Sequence, residues 1–342
     1  MNRTYWRCLT QLVVFGAISF HLGIAQADET ENARSMASST KRGLHPLVGP
    51  VDNDVVLSTF LELGLAFMEE GDEAACERVT TMARSAPRTA NVSQPIHGKS
   101  ELSNFSRMVM SSVMIGTIYD CGRCKVMHSD IAGGVIVSPD GLILTNYHVV
   151  DRSESKGTKA IFVMSYDGKA FPIAEILAAS ESADVALIKI ESDSPLTASP
   201  IAEESPRPLS ELFILSHPRN QFYVLTQGIV SRYATLGMGS QRTDWMEVTA
   251  DFGGGSSGCG VFNANSELIG LVSRVYPLDR PGKLKSDSDD SNHASRGFTE
   301  MVIKRTVPHS QLLKCFHNDK AESLRNGTNM PQKNLAFPAH ES

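Results

Sequence analysis

Residues 253–260, Gly-Gly-Gly-Ser-Ser-Gly-Cys-Gly, lead straight into the apolar pair Val261-Phe262. A turn of this composition follows backbone paths closed to residues with a β-carbon. It can aim successive N–H groups into one concavity that suits a developing oxyanion. Ser257 is then a candidate nucleophile, with the N–H groups of Gly255 and Ser257 as candidate oxyanion donors. Taken alone, a Gly/Ser cluster is more often a plain loop. Two residues upstream change that weighting. His148 follows the apolar run Leu142 to Thr145 in LILTNYHVV, and Asp184 precedes Val185 to Ile190 in SADVALIKI. A serine hydroxyl is a poor nucleophile without a base, and the base needs an acid to orient it. The order His148, Asp184, Ser257 supplies one residue of each type.

That order is one of several convergent triad orders, the one used by the chymotrypsin-like double barrel. Four segments, GGVIVSPDGLILTNYHVV, ADVALIKI, LSHPRNQFYVLTQGIVS and GSSGCGVFNANSELIGLVS, resemble in order and context the trypsin-like serine proteases of the HtrA type. The resemblance spans residues 106–317. It implies a mainly β fold of two six-stranded barrels with the triad between them. It also implies hydrolysis of peptide bonds in polypeptide substrates through an acyl-enzyme, with no cofactor and no metal. His148 would be the general base, Asp184 its orienting acid, and Ser273 in LIGLVS a support for Asp184; His217-Pro218 would be structural. The chain departs from the family pattern at Cys259, where glycine is usual, and at Gly260, where proline is usual.

In trypsin-like enzymes the residue six before the nucleophile lies at the floor of the S1 pocket, and here that residue is Asp251. Two readings stand side by side. A carboxylate in a poorly solvated pocket would select Lys or Arg at P1. HtrA proteases, however, usually carry a small or apolar residue there and prefer small aliphatic P1 side chains. On that second reading Asp251 is an ion-paired loop residue, with Arg274 on the S1 wall as the neutralising partner.

Around this domain the chain divides as follows. Residues 1–27 read as a secretory signal: Arg3 and Arg7 are basic, Leu12 to Ile24 is apolar, and Ala25-Gln26-Ala27 is a small-x-small cleavage site. The expected location is therefore secreted or periplasmic, without stable membrane insertion once the signal is removed. Residues 28–50 are a polar linker and 51–86 a helical segment with a break near Gly71-Asp72. That segment is read as a packing element rather than a regulatory or oligomerising arm. Residues 87–105 form a second linker, and Pro277 to Arg296 a solvated loop. The tail, 318–342, is expected to be disordered and is too short for a PDZ domain. The net charge of −6 gives no reason to expect nucleic acid or an anionic membrane surface as partner. The motifs leave the oligomeric state open.

Beyond Cys8 in the signal there are five cysteines, in a compartment that permits disulfides. Cys121 and Cys124 form a C-x-x-C for which a local disulfide is expected. A thioredoxin-like site would need a βαβ context, and haem attachment would need His rather than Lys125 after Cys124. A metal site of Cys121, Cys124 and His128 lacks an identifiable fourth ligand. Two alternatives to an enzyme remain. One is a catalytically impaired pseudoprotease that keeps the double barrel as a binding module. The other is a structural envelope protein that uses residues 51–86 as its arm.

Overall fold

The computed structural model describes residues 42–69, 75–95, 101–152, 157–280 and 298–317. The described residues open with three helices, α1 Asn53–Glu69, α2 Ala75–Ser85 and α3 Asn104–Ser111. Seven antiparallel strands follow: β1 Ser112–Asp120, β2 Met127–Ile136, β3 Leu142–Thr145, β4 Thr158–Ser165, β5 Ala170–Phe171, β6 Glu175–Ser180 and β7 Val185–Lys189. They form one sheet in the order β5-β4-β1-β2-β3-β7-β6, interrupted by the single-turn helix α4 Tyr147–Val150. The second half is a closed six-stranded barrel of β8 Glu211–Ser216, β9 Val224–Leu236, β10 Thr243–Val248, β11 Gly260–Phe262, β12 Leu268–Arg280 and β13 Phe298–Pro308. Helix α5 His309–Leu313 closes the described chain. The architecture is the mainly β, chymotrypsin-like arrangement with a few added helices. The first sheet departs from six strands: it counts seven, and its edges β5 and β6 do not pair with each other.

Strands of the first sheet are apolar on both faces because both faces are covered. Val113, Ile115, Ile143, Ile161, Val163, Ala186 and Ile188 pack in one core with Cys76, Val79 and Ala83 of α2. The alternate residues Met114, Ile118, Leu144, Phe162, Met164 and Leu187 pack with Val56 and Phe60 of α1. That second core continues into Leu215, Phe262, Leu271 and Val307 of the barrel. Period-two alternation therefore sorts each strand's side chains between two apolar environments rather than between core and water. Phe162 is stacked between Phe60, at 4.5 Å, and Phe67, at 5.1 Å.

Several expectations meet a different outcome. Leu44 and His45, placed in the 28–50 linker, are buried. Part of the 87–105 linker is tied to the far end of the chain. Ala90 N–H donates to Cys315 C=O at 2.9 Å, the Thr89 hydroxyl to Lys314 C=O at 2.8 Å, and Ser93 bridges His317. The end of that linker is helical: Ser103 caps α3 by accepting from Ser106 N–H at 3.2 Å. Residues 277–280 belong to β12, with Pro277 opposite Val302. A proline is tolerated there because this end of β12 pairs on one side only. The Gly71-Asp72 break, the rest of the 277–296 loop, the signal region and the 318–342 tail lie outside the described residues. No helix among the described residues is long and apolar enough to cross a membrane.

The barrel carries one buried charge cluster. Glu247 on β10 is 3% exposed, sits opposite Arg232 and Arg305 in register, and bonds them at 2.6 and 3.1 Å. Burial alone would raise its carboxyl; the two guanidiniums outweigh this and hold it below the ordinary carboxylate value.

The docking of α1 yields a stability prediction. Phe60 is fully buried against Phe162. Phe60→Ala should destabilise the chain by about 3–5 kcal/mol in denaturant unfolding. A loss within about 0.5 kcal/mol, typical of surface changes, would mean that α1 is not part of the core.

Candidate active site

His148 sits in α4, the turn that follows β3, with its side chain about half exposed. Asp184 lies just ahead of β7 at φ +54°, a conformation that Asp tolerates better than most residues, with its side chain 2% exposed. Three donors converge on this carboxylate. His148 Nδ1–H reaches Oδ1 at 2.8 Å, His148 N–H reaches the same oxygen at 3.3 Å, and the Ser273 hydroxyl donates to Oδ2. Because a carboxylate only accepts, Nδ1 carries the proton and Nε2 of the neutral ring is left as an acceptor. Asn146, whose side chain donates to Asp184 C=O at 2.9 Å, fixes the backbone of this residue.

The turn around Ser257 is fastened to both halves of the molecule. Gly258 N–H donates to Val272 C=O at 2.9 Å, next to Ser273 on β12. Gly133 N–H of β2 donates to Ser257 C=O at 2.7 Å, and the Thr145 hydroxyl holds Gly133 C=O at 2.8 Å, three residues before His148. Gly255 and Gly258 adopt φ of +90° and +77°, which explains the glycines of the motif. Ser256 and Ser257 are sharply distinguished: Ser256 is fully buried, whereas Ser257 is partly exposed. Among the described residues the N–H groups of Gly255 and Ser257 have no intramolecular acceptor. Two N–H groups without an intramolecular acceptor beside a partly exposed serine offer the group types that oxyanion stabilisation and nucleophilic attack use.

Cys259, the departure from the family pattern, points away from this opening. It is 2% exposed and its sulfur abuts Gly133, where an added β-carbon would lie 2.3 Å from it. Burial pushes its thiol up to about 12, so it is not a competing nucleophile.

The expected S1 residues are arranged otherwise. Asp251 has its side chain 86% exposed and pairs with Lys304 at 3.3 Å, not with Arg274. Lys304 also donates to Phe252 C=O at 2.6 Å. Arg274 is exposed and lies over the Trp245 ring at 5.4 Å, just past Ser273, where the register of β12 against β13 shifts. The poorly solvated carboxylate of the basic-P1 reading is therefore absent at Asp251. The sulfurs of Cys121 and Cys124, for which a local disulfide is expected, stand 3.2 Å apart and unbonded in this structure. Residues not found from sequence include Asn146, Thr145, Gly133 and Lys304. Asn146, two before His148 in TNYH, carried the nearest available signal.

His217 packs behind the turn. It is fully enclosed, and its Nδ1 accepts from Tyr223 N–H at 3.1 Å. Burial lowers it from 6.5 to about 4. Between these values the unfolded chain takes up a proton that the folded chain refuses. Stability should accordingly fall as pH drops from 6.5 towards 4, by about 3 kcal/mol in all. Denaturant unfolding across this window should show that slope, and His217→Gln should flatten it. An unchanged slope in the variant would assign the proton uptake elsewhere.

Residues 132–271 match the family described as trypsin-like peptidase domain. The magnetosome formation protease MamE of Paramagnetospirillum magneticum is 30% identical over 152 residues, 43% of this chain and 20% of that protein. A probable periplasmic serine endoprotease DegP-like of Hahella chejuensis is 26% identical over 201 residues, 55% of this chain and 41% of that protein. The periplasmic pH-dependent serine endoprotease DegQ of Escherichia coli is 28% identical over 205 residues, 55% of this chain and 43% of that protein. The chain thus spans less than half the length of these curated relatives. Residues 132–271 thus carry the match to the trypsin-like peptidase domain, and over about half its length the chain is similar to the Deg proteases.

Proposed function

We propose that this protein is a serine endopeptidase of the periplasm or extracellular space that hydrolyses peptide bonds with Ser257, His148 and Asp184. The observation that carries the reading is the buried Asp184 carboxylate bonded to His148 Nδ1 at 2.8 Å. This contact leaves Nε2 free to act as a base. In the proposed reaction Nε2 takes the Ser257 hydroxyl proton as the oxygen attacks the scissile carbonyl carbon. The resulting oxyanion is held by the N–H groups of Gly255 and Ser257. Collapse expels the amine, protonated by His148, and leaves an acyl group on Ser257. Water then repeats the sequence and releases the carboxylate product. Asp184 keeps the imidazole in the productive tautomer and stabilises its charged form. The names of the Deg relatives and the signal-like residues 1–27 support the proposed location.

A fluorophosphonate should label the wild-type protein, and Ser257→Ala should abolish both the label and nearly all hydrolysis of an unfolded polypeptide. A residual acceleration on the order of 10³ over water would remain from the donors and substrate binding. Unlabelled wild-type protein would instead favour the pseudoprotease reading, and undiminished cleavage by Ser257→Ala would discard the nucleophile.

The pairing of the exposed Asp251 with Lys304 supports the small aliphatic P1 preference implied by the HtrA resemblance over the basic one. Peptides that differ only at P1 should be cleaved fastest with Val or Ala, and Asp251→Ala should leave the ranking unchanged. Faster cleavage after Arg, lost in Asp251→Ala, would restore this carboxylate to the S1 site.

A further inference from the structure

We propose that Cys121, Cys124 and His128, at the turn end of the β1–β2 hairpin, form a site for one Zn²⁺ ion, with water or an added ligand in the fourth position.

The hairpin brings three ligand atoms of suitable type together. Cys121 Sγ and Cys124 Sγ are 3.2 Å apart, His128 Nε2 is 2.9 Å from Cys124 Sγ, and all three atoms lie within 4.8 Å of one another. In a tetrahedral site with Zn–S of about 2.3 Å and Zn–N of about 2.0 Å, neighbouring ligands stand about 3.5–3.8 Å apart. An opening of roughly half an ångström suffices to admit the ion.

The backbone prepares the ligands. Register places His128 opposite Tyr119, two residues before Cys121, and their rings stack at 5.4 Å. This contact holds the imidazole over the C-x-x-C turn. Gly122, at φ +66°, donates its N–H to Asp120 Oδ1 at 2.7 Å and tightens that turn. The N–H groups of Arg123 and Cys124 are directed at the Cys121 sulfur. Thiolate is the form of cysteine that binds metal. A disulfide would make no use of the histidine, whereas Cys₂His with one open position is an established donor set for zinc. Entry is unobstructed: Cys124 is exposed and its two partners are partly exposed. Binding would balance as one Zn²⁺ taken up and two thiol protons released, with the imidazole neutral.

The test uses the reduced full-length protein, with Co²⁺ as a spectroscopic probe and Zn²⁺ for stability. Wild type should bind one Co²⁺ with a thiolate-to-metal charge-transfer band, and Zn²⁺ should displace it. Zn²⁺ should raise the wild-type unfolding midpoint. Cys124→Ser and His128→Ala should lose the stoichiometric ion and the zinc-dependent shift while unfolding normally without metal. Three results would overturn the proposal. One is reduced wild-type protein that retains no ion. Another is an ion retained equally by both variants. The last is a Cys121–Cys124 disulfide in protein purified without reductant that zinc and mild reduction do not convert to the metal-bound form.

Discussion

One buried carboxylate joins the two halves of this molecule. Asp184 enters from the first sheet, where it holds His148, and accepts its last hydrogen bond from Ser273 on the barrel. An ionised group with its side chain 2% exposed is tolerable only when its oxygens are fully engaged. Neither half can supply that alone. Asp184 would be costly in a separated first sheet, and Ser273 alone would give the imidazole no orientation. The same bonds that make burial tolerable fix the ring, so the interface between the halves and the geometry of the site share this contact.

The segment between the halves works in the same sense. Leu196 and Ser199 N–H groups donate to Pro139 and Ile136 of the first sheet, and Ala202 N–H and Pro200 C=O pair with Leu268 of the barrel. The connection therefore runs as a strap with bonds on both sides rather than as a free hinge. Together with the shared core of Phe162, Leu215, Phe262 and Val307, it resists the sliding that would separate His148 from the Ser257 turn.

Much of this was legible in the sequence, because apolar runs of four to nine residues separated by turn residues are a direct record of strands. Pro139-Asp140-Gly141 is one such turn, and Gly141 takes φ +97° there. The contact of His148 with Asp184 followed from order and flanking strands. What escaped was encoded by partners distant in sequence. Met127 to Asp130 is polar and non-periodic, yet it extends β2 because β1 lies beside it. The 87–105 stretch has linker composition but meets residues 314–317. Spacing located Asp251 six residues before Ser257 but could not give its direction, which depends on Lys304, a residue of β13.

The clasp between Thr89 and Lys314 spans 225 residues. During synthesis the amino-terminal strip emerges long before its partner exists, and α5 is the last described element to appear. Contacts of this separation form late, after the loop they close has been ordered. A nascent chain would thus pass through a period in which β13 has not closed the barrel and the Ser257 turn lacks its settled surroundings. The connectivity itself delays assembly of the site until β13 and α5 have been made.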